Sequence, residues 1–191
     1  MSEEPSSDVR TVEDREALTA LAHPDRARLM DVPAAHGPQT TTALADLTGI
    51  ATGSVSHHLK VLVAANLVER APSAGTDRRK RTWQLVSRGA RWNSGAFRES
   101  PATHAAAIAA DGVIAQRDHE RAREFLQAAE PPWDESAFAV HTWMRLSSDE
   151  LAQLGREIET VLLKWRRRDI PDDDADRRPI LAFARGFPSE P

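Results

Sequence analysis

The stretch GSVSHHLKVLVAANLVERA, Gly53–Ala71, decides the fold. Two adjacent histidines and a lysine interrupt an otherwise apolar run. At 100° per residue Val55, Leu59 and Leu62 fall within about 60° of one another and make one apolar stripe. Gly53, His57, Lys60 and Ala64 fall on the opposite side, Ser56 on the flank and His58 at the edge of the stripe. The spacing predicts a helix over about Thr52–Ala65 that buries one face and offers the other. Neighbouring residues diverge by about 100°, so His57 and His58 do not share one metal ion. His57 projects outward beside Lys60, and His58 packs against a neighbouring helix or bonds a backbone carbonyl. The position before this helix, next to Ile50, holds Ala51, a poor cap; Thr52 or Ser54 could substitute.

Working outward, three helical patterns precede a hairpin. Val12, Leu18, Leu21 and Ala22 mark a first helix from Thr11. Pro24 suits the first turn of a second, about Pro24–Ala35, where its missing N–H costs nothing; Pro33 is expected to kink or shorten it. Gly37–Pro38 is a break, a threonine among Thr40–Thr42 caps a third helix, and Gly49 stops it. After Asn66, Leu67–Pro72 and Lys80–Val86 are β-type runs around the turn-rich SAGTDRR. Helices followed by a hairpin are the winged helix-turn-helix pattern, in which the helix before the wing is the reading element.

The charge distribution supports that pattern. The chain has net charge −4, yet residues 50–91 carry 8 basic and 2 acidic groups between two acidic flanks. Such a basic island steers anionic partners despite the overall sign. Arg78, Arg79, Lys80 and Arg81 concentrate it at the hairpin tip, where they repel one another unless an anion lies near. Small residues on the outer helix face permit close approach, Ser and His exchange hydrogen bonds with base edges, and Lys meets a base or a phosphate. A solvated helix face and a solvated charge run are the bland alternatives for each feature taken alone.

Residues 88–100, SRGARWNSGAFRESP in part, are a linker by composition. A long alanine-rich helix is predicted over Pro101–Glu130, with Ile108, Ala115, Ala122 and Ala129 at seven-residue spacing and Phe125 beside them. These five suit a dimer interface; packing onto the chain's own domain is the alternative. Phe138, Val140, Thr142, Met144 and Leu146 alternate as in a strand. Ser147–Glu150 is a capping box for a further helix, and Pro179–Phe187 is read as a final strand. This strand-helix-strand tail is too small for a core of its own. Trp133, Trp143, Trp165, Phe138 and Phe183 make either a small-molecule pocket or plain core, the commoner fate.

From about Ala17 to Val86 the chain resembles the ArsR-type winged helix transcription regulators. The match rests on ALAHPDRARLM, on TALADLTGIATGSVSHHLKVLVAANLVER and on the basic wing before RTWQLVSRG. It covers about a third of the chain. The segments after it look like those of actinobacterial ArsR-like regulators. The resemblance implies a homodimer on a two-fold-related DNA operator. By position, the family's contacts fall on Ser54, Ser56, His57 and Lys60, with wing contacts on Arg78–Arg81; Thr42 and Thr52, at the starts of the third and fourth helices, complete the set. Metal-sensing members carry a Cys-x-Cys pair on the third helix, where this chain has TTTALADL. Others use Asp, His and Glu on the C-terminal helix, but His104, Asp118, His119 and Glu124 lack that spacing. No metal and no cofactor are therefore expected.

The expected fold is mainly α (α+β): a tail over 1–10, a winged helix-turn-helix over 11–87, a linker over 88–100 and a C-terminal dimerisation or effector region over 101–191. The expected function is a DNA-binding transcription regulator, with double-stranded DNA and a second copy as partners and a small-molecule effector open. The alternative is a winged helix that binds an acidic protein. No G-x-S-x-G, P-loop, dinucleotide fingerprint or H-E-x-x-H occurs, so an enzyme is not expected. The chain has no cysteine, its first ten residues lack the apolar run of a signal peptide, and no apolar run approaches the ~20 residues of a membrane helix. A cytoplasmic location is the expectation.

Overall fold

The computed structural model describes residues 9–72, 81–87 and 89–190. In chain order the elements are β1 (Val9–Thr11), α1 (Arg15–Leu21), α2 (Pro24–His36), β2 (Gln39–Thr40), α3 (Thr41–Thr48), α4 (Thr52–Ala64), β3 (Val68–Arg70), β4 (Thr82–Leu85), β5 (Gly89–Arg91), a 3-10 turn (Ser94–Phe97), α5 (Pro101–Ala128), α6 (Trp133–Ser136) and α7 (Ser148–Arg167). They fall into two compact units, Met1–Arg121 and Ala122–Pro191, with the division inside α5.

The first unit is a small α+β winged helix. Leu18 of α1, Leu29 of α2, Leu44 of α3 and Val55, Leu59 and Leu62 of α4 meet in one apolar cluster. Burying such side chains fully contributes about 1.5–3 kcal/mol each, which makes this cluster the main support of the unit. The predicted stripe on α4 is thus the buried one. Local chemistry sets the helix ends. Asp14 Oδ1 accepts from Ala17 N–H at 2.7 Å and Thr40 Oγ1 from Ala43 N–H at 3.1 Å. Gly49, at φ 70°, closes α3 in the left-handed region, which glycine adopts without a Cβ clash.

Several expectations are corrected. The first helix starts at Arg15 rather than Thr11, because Asp14 is the residue able to cap it. Val12 instead follows β1, its N–H bonded to Arg91 O at 2.8 Å, and is fully buried. Pro33 does not end α2 early. The helix runs on to His36, with Pro33 buried inside and Gly37 N–H bonding its carbonyl at 3.1 Å. The stretch read as a linker contains β5 and the 3-10 turn. β5 pairs in parallel with β1, Val9 opposite Gly89 and Thr11 opposite Arg91. Val9 and Arg10 therefore belong to a strand rather than to a tail. Arg10 extends this tie, reaching Asp14 at 3.1 Å and the carbonyl of Asn66. Asn66 turns the chain out of α4 at φ 52°, a left-handed conformation that Asn tolerates better than most residues.

The hairpin is present as β3 and β4, with Val68 opposite Leu85 and Arg70 opposite Trp83. A third strand not anticipated, β2, pairs on the other edge of β4. α5 packs on this unit through Ala107 and Ala110, both fully buried, and through charge. Arg117 Nη1 lies 3.1 Å from Asp31 Oδ1 and Arg121 Nη2 2.8 Å from Asp31 Oδ2. Burial pushes the Asp31 carboxyl upward from its ordinary range, and the two guanidiniums pull the other way.

In the second unit the capping box forms as read: Ser147 Oγ accepts from Glu150 N–H at 3.3 Å, and Glu150 Oε2 from Ser147 N–H at 2.7 Å. The two tail strands do not form. Neither residues 138–146 nor 179–187 enter a helix or a sheet among the described residues. The alternation of Phe138–Leu146 predicts a strand, but a strand also needs a hydrogen-bonding neighbour, and alternation cannot supply one. Phe138, Trp143, Trp165 and Phe183 are exposed, so these aromatics are not core in this chain alone.

Candidate nucleic-acid interface

α4 begins after a tight turn, Gly49–Ala51, that leaves it at the surface of the first unit. Its N-cap is Ala51, and no side chain accepts from the first turn. The first N–H groups of a helix have no internal partner, so those of α4 are available to an anion. Behind them Val55, Leu59 and Leu62 are buried, whereas Thr52, Gly53, Ser54, Ser56, His57 and Lys60 are exposed. A Cβ built on Gly53 would meet open space. Packing inside the chain therefore does not demand glycine there.

The wing stands beside this face because Trp83 anchors it. Trp83 Nε1 donates to Thr41 Oγ1 at 3.0 Å, which ties β4 to the start of α3. Arg70 of β3 lies over the same ring, 5.4 Å from its centroid, a cation–π contact. Between α4 and the wing is a shallow cavity of about 470 Å³ lined by Lys60, Val63, Ala64, Glu69, Arg70 and Trp83. Arg81 is exposed at the entry to β4, and Thr42 is exposed in the first turn of α3. Arg78, Arg79 and Lys80 lie outside the described residues. Arg70 and Trp83 were missed in the sequence. Only their register across the hairpin, which the pairing of β3 with β4 reveals, brings them to the Lys60 side.

A family model described as Helix-turn-helix domain matches residues 21–71. These residues form a helix-turn-helix domain. The chain is also similar to RV1404 from Mycobacterium tuberculosis, at 17% identity over 78% of this chain and 81% of that one, with TM-score 0.30. It is similar to NMB1585, a MarR family regulator from Neisseria meningitidis, at 14% identity over 79% and 75%, with TM-score 0.30. No curated protein matches the chain.

Within the helix-turn-helix domain the two histidines of α4 part company. His57 is exposed; His58 is 8% exposed, deeper than the edge position read from the sequence. The His58 ring lies 4.8 Å from that of His23, centroid to centroid, and His58 Nε2 lies 3.7 Å from Asp25 Oδ2. His58 Nδ1 is buried without a hydrogen-bond partner. Burial lowers the His58 pKa, the nearby His23, Arg26 and His57 lower it further, and Asp25 opposes them.

His23, Asp25 and His58 place three ligand-type atoms within 4.8 Å of one another. The local chemistry is that of a helix cap rather than a cation site. His23 Nδ1 accepts from Asp25 N–H at 3.1 Å and so caps α2. A neutral imidazole has one acceptor nitrogen, so this bond leaves His23 without a lone pair for an ion. Asp25 also lies 3.8 Å from Arg28 Nη1, and cations around His58 raise the cost of a further positive charge.

The residues assigned to a dimer contact are spread along α5 and just past its end at Ala128. Ile108 and Phe125 are exposed, Ala122 is exposed, and Ala115 and Ala129 are partly covered. The adjacent face, with Ala107 and Ala110, is the one spent on the chain's own core.

Proposed function

We propose that the chain is a sequence-specific DNA-binding transcription regulator of ArsR-like type, acting as a homodimer in the cytoplasm and without enzymatic activity. The observation that carries the proposal is the two-faced α4. It buries Val55, Leu59 and Leu62 and turns Ser54, Ser56, His57 and Lys60 to solvent beside the wing of β3 and β4, with Arg81 at the entry to β4. Base edges are read by Ser54, Ser56 and His57, and phosphates are met by Lys60, Arg81, the hydroxyls of Thr42 and Thr52, and the N–H groups at the uncapped start of α4. Arg78, Arg79 and Lys80 complete the wing contacts by their place in the sequence.

Ile108, Ala115, Ala122 and Phe125 of α5, with Ala129 just after it, form the contact between copies. A two-fold axis there would set two α4 helices about 34 Å apart, one turn of DNA. An effector, if one acts, meets the aromatic C-terminal unit.

A salt series tests the function. The affinity of the full chain for duplex DNA should fall steeply with salt, with a slope of about −0.9 per phosphate contact. Binding that hardly responds to salt, or that is retained only by an acidic protein, points instead to a winged helix used for protein contact.

A further inference from the structure

The second unit, taken alone, is an unfinished sheet. Arg178 lies over Trp133, 5.2 Å from the ring centroid. At the other end, a Cβ on Gly186 would lie 3.2 Å from Leu151 Cδ1. The arm that follows residue 178 therefore runs in the same sense as the arm that leads from Trp133 to Leu151, and α7 connects the two. That is the course of a β-α-β unit. Yet neither arm enters a sheet among the described residues.

The apolar side chains of both arms are uncovered. Phe138 is 82% exposed, Val140 83% and Trp143 62% on the first arm; Ile180 is 67%, Phe183 51% and Phe187 71% on the second. With ~150–250 Å² for each large apolar side chain, these six leave on the order of 800 Å² uncovered, one partner's share of a standard protein interface. Trp165 on α7 is exposed as well. Patches of this size mark an interaction surface.

The geometry points to a second copy of this chain as the occupant: the arms 138–146 and 179–187 pair with the same arms of a partner, giving one intersubunit sheet. Three features favour a copy over an unrelated protein. Each chain carries two arms that enter no sheet among the described residues, so a two-fold axis makes each copy both donor and acceptor and leaves no arm over. The uncovered area suffices for a stable dimer without further surface. The arms also carry few of the charges that guard a free edge, with Arg145 and Arg185 the cationic groups along them. Such edges are tolerated when a partner always fills them. This inference deepens the homodimer reading and rests on it, adding a sheet to the α5 contact; it does not depend on DNA binding.

Hydrogen exchange read at peptide level, with light scattering on the same full-length samples, tests it. The wild-type chain should be a dimer at micromolar concentration, and amides of both arms should be protected. Val140→Glu, at a site open to solvent in the single chain, should shift the equilibrium toward the 21.1 kDa monomer, with both arms exchanging freely and the protection of α1–α4 unchanged. A wild-type dimer with unprotected arms overturns the intersubunit sheet and leaves the α5 dimer standing. Arms still protected in the monomeric variant overturn it too, since they would then pair within one chain. A monomeric wild type overturns both dimer readings.

Discussion

The imidazole of His58 rests 4.8 Å from that of His23, with its Nε2 3.7 Å from the Asp25 carboxylate. This joins α4 to the N-terminus of α2. Protonation is disfavoured there, because His58 is buried and neighbouring cations oppose it. The folded chain therefore holds the His58 proton more weakly than the unfolded chain does. The resulting stability is present above the ordinary imidazole value of about 6.5 and is lost as pH falls through the lower folded value. The wild type should lose stability to thermal unfolding as pH falls below about 6.5, and His58→Gln should flatten that part of the profile. Equal pH slopes in the two proteins would refute the assignment.

The start of α4 offers a gain of stability. Ala51 has extended backbone, φ −55° and ψ 136°, and no side chain that can accept from the first turn. Ala51→Ser should supply that acceptor and raise the unfolding free energy by about 1 kcal/mol. Chemical denaturation reads this directly, as a shift of the midpoint at constant slope. An unchanged midpoint would mean that the turn already satisfies those N–H groups.

The two arginines of α5 should not be equivalent. The Arg117 side chain is 19% exposed, that of Arg121 44%, and both meet Asp31. Arg117 also lies 3.3 Å from the Ala27 carbonyl and 3.8 Å from Asp118. Its removal leaves the partly covered Asp31 carboxylate with the more exposed Arg121 as its remaining guanidinium. Arg117→Ala should cost about 3 kcal/mol, at the low end for breaking a buried pair, and Arg121→Ala less than about 1 kcal/mol. Denaturation midpoints rank them, and an equal loss would contradict the geometry.

The helical half of the first unit was legible because its signals are local. Thr40 caps α3, Gly49 ends it, and the stripe of Val55, Leu59 and Leu62 sets the orientation of α4. Elements that depend on distant pairing were not. GAR at Gly89–Arg91 has the composition of a linker and becomes β5 only because Val9–Thr11, some eighty residues earlier, lies beside it. β2 is two residues long and exists through Trp83 and Thr82. Trp83 and Arg70 joined the candidate site for the same reason. His58 shows the limit of helical angles: they placed it at the edge of the stripe, while its burial comes from His23 and Asp25 on α2, which no periodicity of α4 reveals. The tail shows the reverse case. The alternation of Phe138–Leu146 was plain, but the neighbour that would make it a strand is absent from the described residues of this chain.

Two substitutions on α4 should separate charge from reading. Lys60→Ala should weaken binding to all duplexes alike and reduce the salt slope by about 1, whereas His57→Ala should leave the slope and narrow the gap between the best sequence and the rest by about 1–3 kcal/mol. Fluorescence anisotropy with matched and scrambled duplexes at several salt concentrations reads both effects. If the two variants behave identically, the division of labour on this face is wrong.

The outward face of α4 as a reader of DNA is tested most directly by selecting bound duplexes from a random pool with the full-length protein, in parallel with His57→Ala. The wild type should enrich an inverted repeat with half-site centres about one helical turn apart, and the variant should return a degraded version of it. Enrichment of no motif by the wild type, or of the same motif at the same strength by both proteins, would contradict the account.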